Sequence, residues 1–231
     1  MKPNILMIVT SSNRMGNTDK PTGLWAEELA VPYYALVDAG ASVVIASTAG
    51  GKAPIDPGSV KAKGANDPAV ERMLGDPILQ FMIDKTHAVQ DLKVEDFDAI
   101  FFPGGHGTMW DLPTDRGVKA AVESAYGQGK FIASVCDGAA GLVSAVRGDG
   151  QPMVQGHRVN SFTDAEEREV GLAGVVPFML ESRLRELGAV FEGGDNWQAF
   201  ALRDRQLITG QNPQSSEKVA EMLIDALGLK V

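Results

Sequence analysis

One cysteine, Cys136, ends the apolar run from Phe131 to Val135 and is followed within two residues by Gly138-Ala139-Ala140-Gly141. A lone thiol can form neither an internal disulfide nor a thiolate zinc cluster, which leaves inert packing or reactive chemistry. The run before it reads as a buried strand. The small residues after it let a helix begin abruptly and pack close to the sheet, the logic of a nucleophile elbow. A thiol at a helix N-terminus also feels the positive end of the dipole, which favours the thiolate. Free cysteines are commonly small buried hydrophobes. A second glycine-rich junction upstream shifts the balance toward chemistry.

That junction is Phe102-Pro103-Gly104-Gly105-His106-Gly107, at the end of the apolar run from Ala99 to Phe102. Glycines there let backbone N–H groups approach a ligand, so Gly104 or Gly105 could join the amide after the cysteine in an oxyanion site. The same glycines would serve a tight strand-to-helix turn. His106 lies on this loop and is a candidate base, with a structural use equally open. His87 and His157 have no metal-ligand spacing around them, and no required metal or cofactor is expected.

The elements that must hold these loops alternate. Asn4 to Val9 reads as a strand and Thr10 to Thr22 as a polar loop. Gly23 opens a helix with Leu24, Leu29, Leu36 and Val37 inward, in which Pro32 predicts a kink or break. Ala41 to Ser47 is a second strand. Residues 50–96 are irregular, with weak helical patterns at 69–74 and 78–85, and read as an insertion over the sheet edge. After the strand 99–102 comes a helix with Val118, Ala121, Val122 and Ala125 on one face. The strand 131–135 then runs through Cys136 into a predicted helix over 138–146. Beyond it the pattern predicts a short strand over 157–162 and helices over 164–172 and 177–187. Either Thr163 with Glu166 or Asp164 with Glu167 is spaced as a capping box for the first of these. Strands over 200–202 and 206–209 and an amphipathic helix over 216–227 complete the chain. Such alternation implies one α/β domain over 1–231, with a mostly parallel sheet covered on both faces and its active site at the carboxyl ends of the strands.

The chain has 231 residues, 44% of them apolar, and a formal charge of −9. That sign argues against a nucleic-acid or anionic-membrane partner. The first apolar run is too short for a secretory signal, and no later one approaches the roughly 20 residues of a membrane span. A cytoplasmic protein is expected.

The segments Val135-Cys136-Asp137-Gly138-Ala139-Ala140-Gly141-Leu142 and Pro103-Gly104-Gly105-His106-Gly107-Thr108-Met109-Trp110-Asp111-Leu112-Pro113 together form a specific pattern. So do Thr22-Gly23-Leu24-Trp25-Ala26-Glu27-Glu28-Leu29 and Ser161-Phe162-Thr163-Asp164-Ala165-Glu166-Glu167. The chain resembles the ThiJ/PfpI superfamily, whose fold is like that of class I glutamine amidotransferases, and within it the branch of glyoxalase III enzymes and heat-shock-linked chaperones. The resemblance implies a flavodoxin-like three-layer sandwich and a homodimer. It implies that Cys136 is the reactive cysteine and Glu28 the acid against its sulfur, Glu27 pointing elsewhere. It matches Asp164 to the acid that orients a catalytic histidine, with helix capping as the other reading. Most glyoxalase III-like relatives carry that histidine directly after the cysteine, where this chain has Asp137. The implied activity is a cofactor-free reaction on a small carbonyl, methylglyoxal to lactate or a related deglycation. Asp137 keeps open a thiol hydrolase or hydratase acting on amides or isonitriles. A redox-sensing chaperone is the third reading.

Overall fold

The computed structural model describes residues 1–230. The first apolar run forms β1 (Asn4–Val9), followed by α1 (Ala26–Asp38) and β2 (Ser42–Ser47). The irregular stretch that follows contains α2 (Pro68–Leu74), α3 (Pro77–Asp84) and the two-residue edge strand β3 (His87–Ala88). Then come β4 (Ala99–Phe102), α4 (Thr108–Asp111), α5 (Arg116–Gly127) and β5 (Phe131–Val135). The C-terminal part holds β6 (Arg158–Val159), α6 (Asp164–Glu169), α7 (Leu180–Glu186), β7 (Val190–Phe191), β8 (Ala201–Asp204), β9 (Leu207–Gly210) and α8 (Ser216–Ala226).

Seven strands form one sheet in the order β3-β2-β1-β4-β5-β9-β8, while β6 and β7 pair separately. Every neighbouring pair in the large sheet is parallel except β8 with β9, a hairpin that closes one edge. Parallel strands need crossovers that cover both faces, so their side chains are buried on both sides. β1 shows this directly. Ile5, Met7 and Val9 join a core cluster with Leu29 and Leu36 of α1 and Val219 and Leu223 of α8. Leu6 and Ile8 join the opposite cluster with Val118 and Val122 of α5. The result is the expected flavodoxin-like three-layer α/β sandwich. Among the described residues, no helix is long and apolar enough to cross a membrane.

Two local expectations are corrected. Of the kink or break expected at Pro32, the break is absent: α1 is continuous through it, and that ring is buried in the core. Packing of the apolar face offsets the helical hydrogen bond lost at the Glu28 carbonyl. Downstream of β5 there is no α-helix over 138–146; Cys136–Leu142 is a 3₁₀ helix, buried throughout. Gly138 and Gly141 there lie against Phe102 of β4, which keeps this turn pressed onto the sheet.

Candidate active site

β4 and β5 are hydrogen-bonded neighbours, with Ile100 opposite Ile132 and Phe102 opposite Ser134. Their carboxyl ends therefore deliver the Gly104–His106 loop and Cys136 side by side. Cys136 has φ 58°, a left-handed conformation unusual for a residue with a Cβ. Such strain persists only where the surroundings impose it, and a tight strand-to-helix turn at a nucleophile is one such place. The hydroxyl of Thr108 fastens the two loops by donating to the carbonyl oxygens of Gly105 at 2.7 Å and Asp137 at 2.9 Å.

A cavity of about 210 Å³ opens at this point. Cys136, Glu28, Asp137, His106 and Gly105 form its reactive side. Glu28 is completely buried. Its Oε1 accepts from the Gly104 N–H at 2.9 Å, its Oε2 has no hydrogen-bond partner, and the Cys136 thiol lines the same cavity. A Cβ on Gly104 would lie 2.5 Å from that same oxygen, so only glycine lets the carboxyl sit here. The Gly104 amide is thus spent on holding Glu28. The amides of Gly105 and Asp137, both residues lining the cavity, are left as the candidates for an oxyanion. Gly105 has φ 108°, and a Cβ there would approach the Gly23 carbonyl to 2.2 Å.

Burial governs the charges. It pushes the Glu28 carboxyl well above the usual range, with the charge of Asp137 adding to it and the Cys136 thiol and the Gly104 N–H opposing. Burial likewise pushes the Cys136 thiol up, helped by Glu28 and Asp137 and opposed by the Asp137 N–H. The thiolate expected from a helix dipole is therefore not the resting form. A short 3₁₀ turn supplies little aligned dipole, and desolvation outweighs it.

Asp137 is also fully buried, and neither of its carboxylate oxygens has a hydrogen-bond partner. Burial raises its pKa, the charge of His106 opposes, Glu167 and Glu166 add, and the result is about 7. The His106 Nε2 lies 2.7 Å from Glu167 Oε1 and 3.6 Å from Asp137 Oδ2. Although burial lowers the pKa of His106, Asp137 and Glu167 outweigh it and bring it to about 9. A pKa raised in this way makes His106 a candidate proton donor more than a candidate base.

The ligand atoms of His106, Asp137 and Glu167 lie within 4.8 Å of one another, residue types that a divalent cation accepts. Ligands bonded at 2.0 Å around a tetrahedral ion stand about 3.3 Å apart. The 2.7 Å contact between His106 and Glu167 is closer than that and has the length of an ion-pair hydrogen bond.

Asp164 does not reach this cluster. Its N–H donates to Glu181 and its carboxylate accepts from the Ser182 hydroxyl, both on α7. The N-cap of α6 is Thr163, closing the capping box with Glu166. The next acid, Glu167, is the one turned to the histidine. The capping-box spacing held that signal: once Glu166 is committed to Thr163, Glu167 presents a different face of the helix. Glu166 itself is buried, and its Oε1 accepts from the Trp197 N–H at 3.0 Å, Gln211 at 3.1 Å and Asn212 at 2.8 Å.

The chain matches the DJ-1/PfpI family over residues 22–226. It belongs to that family. The DJ-1/PfpI fold extends to solved structures along nearly the whole chain. The Rapid Encystment Protein 24 KDa of Francisella tularensis superposes with a TM-score of 0.93 at 38% identity, covering 98% of this chain and 99% of that one. Glyoxalase III from Candida albicans superposes with a TM-score of 0.86 at 26% identity, covering 97% of each chain. The sequence of Glyoxalase 3 from Candida albicans is 26% identical over 231 residues, 96% of this chain and 97% of that protein.

Proposed function

We propose that the protein is a cysteine-dependent, cofactor-free enzyme that converts a small 2-oxoaldehyde into the 2-hydroxy acid, methylglyoxal to lactate being the simplest case. One observation carries this reading: a buried, unpartnered carboxylate poised near neutrality, Asp137, stands beside a thiol held against a second carboxyl, Glu28. Relatives named as glyoxalases support the substrate class.

As sulfur bonds to the aldehyde carbon, Glu28, whose carboxyl burial holds protonated, gives its proton to the carbonyl oxygen and receives the thiol proton in its place, which leaves a neutral hemithioacetal. Amides near Gly105 and Asp137 hold the developing oxyanion. Asp137 removes the proton from the sulfur-bearing carbon while Glu28 protonates the neighbouring carbonyl oxygen, and an enediol forms. Asp137 returns its proton to the adjacent carbon as the hydroxyl on the first carbon gives its own back to Glu28, which yields a thioester of the 2-hydroxy acid. The first carbon is thereby oxidised by two electrons and its neighbour reduced by two, so no external redox partner enters. Water then cleaves the thioester, releasing the acid and restoring the thiol. His106 acts as a positioning residue whose positive charge keeps the Asp137 pKa near neutrality.

Purified protein incubated with methylglyoxal is expected to form lactate; no turnover above a Cys136→Ala control rejects the reaction. The same groups suit a thiol hydrolase, because an unpartnered carboxylate beside a thioester or amide can activate water; amide and isonitrile panels separate the two. A buried thiol with a raised pKa speaks against a redox sensor, since oxidation follows thiolate character and exposure. The reading carries with it a cytoplasmic homodimer, tested by fractionation and sedimentation.

A further inference from the structure

Much of the cavity lining is apolar. Trp25, Phe162, Trp197, Val170 and Leu172 contribute to it. Phe162 and Trp197 pack with ring centroids 5.7 Å apart, and Phe162 meets the His106 ring edge-on at 5.7 Å. Trp197 is not there by drift. Its backbone sits at φ 62°, and its N–H is fixed by the buried Glu166. A non-glycine residue held in the left-handed region by a buried carboxylate indicates a ring placed at a cost in backbone energy.

The ionisable groups lining the cavity are mostly carboxyls. Glu28, Asp56 and Asp137 line it, while neither lysine nor arginine does among the described residues. The single cation, His106, is engaged by Glu167. A ligand bearing a carboxylate or phosphate would enter a low-dielectric space against like charges, with no unpaired donor cation to receive it. Size points the same way. A protein cavity of about 150 Å³ accepts benzene, and this one measures about 210 Å³, enough for a phenyl ring and a two-carbon dicarbonyl head.

We infer that the site selects neutral 2-oxoaldehydes with an aryl or similarly bulky apolar substituent over methylglyoxal, and excludes carbonyl compounds that carry an anionic group, with Trp197 as the residue that sets this preference. The inference rests on the reaction proposed above for its catalytic half only; the binding preference stands apart from it.

The test therefore has two arms. In the first, binding of acetophenone and of benzoate to the Cys136→Ala protein is followed by quenching of tryptophan fluorescence. Acetophenone is expected to bind roughly a hundredfold tighter than benzoate, and Val170→Arg, which places a cation at the half-exposed rim, should narrow that gap. In the second, kcat/KM is compared for phenylglyoxal, giving mandelate, and methylglyoxal, giving lactate, in the unaltered protein and in Trp197→Ala. The aryl substrate should lead by about tenfold or more. Trp197→Ala should raise KM for phenylglyoxal and so narrow its lead in kcat/KM over methylglyoxal. Benzoate binding as tightly as acetophenone, or a substrate ratio that Trp197→Ala does not move, overturns the inference. Tight acetophenone binding with no turnover of either aldehyde overturns the reaction and leaves the binding preference standing.

Discussion

His106 commits its Nε2 to Glu167 at 2.7 Å, and this leaves Asp137, 3.6 Å away, without a hydrogen-bond partner. One N–H cannot serve two carboxylates, so the geometry divides the acids into a paired one and a free one. The paired acid keeps the imidazole charged. The free one is the better base, because burial has already raised its pKa to about 7.

The first prediction concerns pH. kcat/KM should rise as Asp137 ionises around pH 7 and fall as His106 loses its proton around pH 9, giving a bell-shaped profile. Asp137→Asn should remove the acidic limb and lower kcat by roughly 10²–10⁴. A profile measured from pH 5 to 10 decides it, and one that stays flat between 6 and 8 takes the base role away from Asp137.

Glu28 should show opposite effects on activity and stability. Its pKa in the folded protein is raised above the ordinary value of 4.5. Its stabilising contribution is therefore complete below that value and is lost as pH rises toward the folded pKa, because the unfolded chain ionises first. Glu28→Gln should consequently raise Tm by several degrees at pH 7, where about 1 kcal/mol corresponds to 2–4 °C, and change it little at pH 4. The same variant should lose most of its turnover. Melting curves at the two pH values, beside a kinetic assay, check both halves.

Gly104→Ala tests the floor of the site. The added Cβ would lie 2.5 Å from Glu28 Oε1 and 2.8 Å from the Val135 carbonyl. The carboxyl must shift, so activity should drop at least about tenfold, while overpacking costs about 1–3 kcal/mol in denaturant unfolding. Full activity would mean that the bond from Gly104 to Glu28 is dispensable.

Glu166→Ala should be the most damaging of these changes to stability. It leaves the Trp197 N–H and the amide groups of Gln211 and Asn212 without their carboxylate and removes the capping box. A loss of about 2–4 kcal/mol is expected from stranding the Trp197 and Thr163 N–H groups, the Gln211 and Asn212 amides keeping carbonyl partners, read from chemical denaturation. Near-neutral stability would show that these donors find other partners.

The sheet and the nucleophile were legible because their signals are local. Short apolar runs bounded by glycine and proline placed β1, β4 and β5 within a residue of where they lie, and the small residues after Cys136 marked the elbow. Pairing of β4 with β5 followed from α/β connectivity alone. The strands β3 and β7 carry only two residues each, too few to show a period. The acids were harder to rank, since Asp164, Glu166 and Glu167 occupy one short helix and differ only in direction. Which of them meets His106 depends on the side chain that caps the helix, and that choice is made in three dimensions. The protonation states were outside reach for a similar reason. Desolvation reversed the expectation for the Cys136 thiol and made Asp137 a stronger base than an ordinary carboxylate.

The hydroxyl of Thr108 joins the carbonyls of Gly105 and Asp137, and both residues, the proposed donors of the two oxyanion amides, line the same cavity. Those two amides belong to different strands' loops, yet neither loop can slide without dragging the other through one shared oxygen. Their spacing is therefore set before any ligand arrives. A substrate meets a gauge of fixed width, and a molecule whose oxygen does not fit it cannot widen it by pulling on one side.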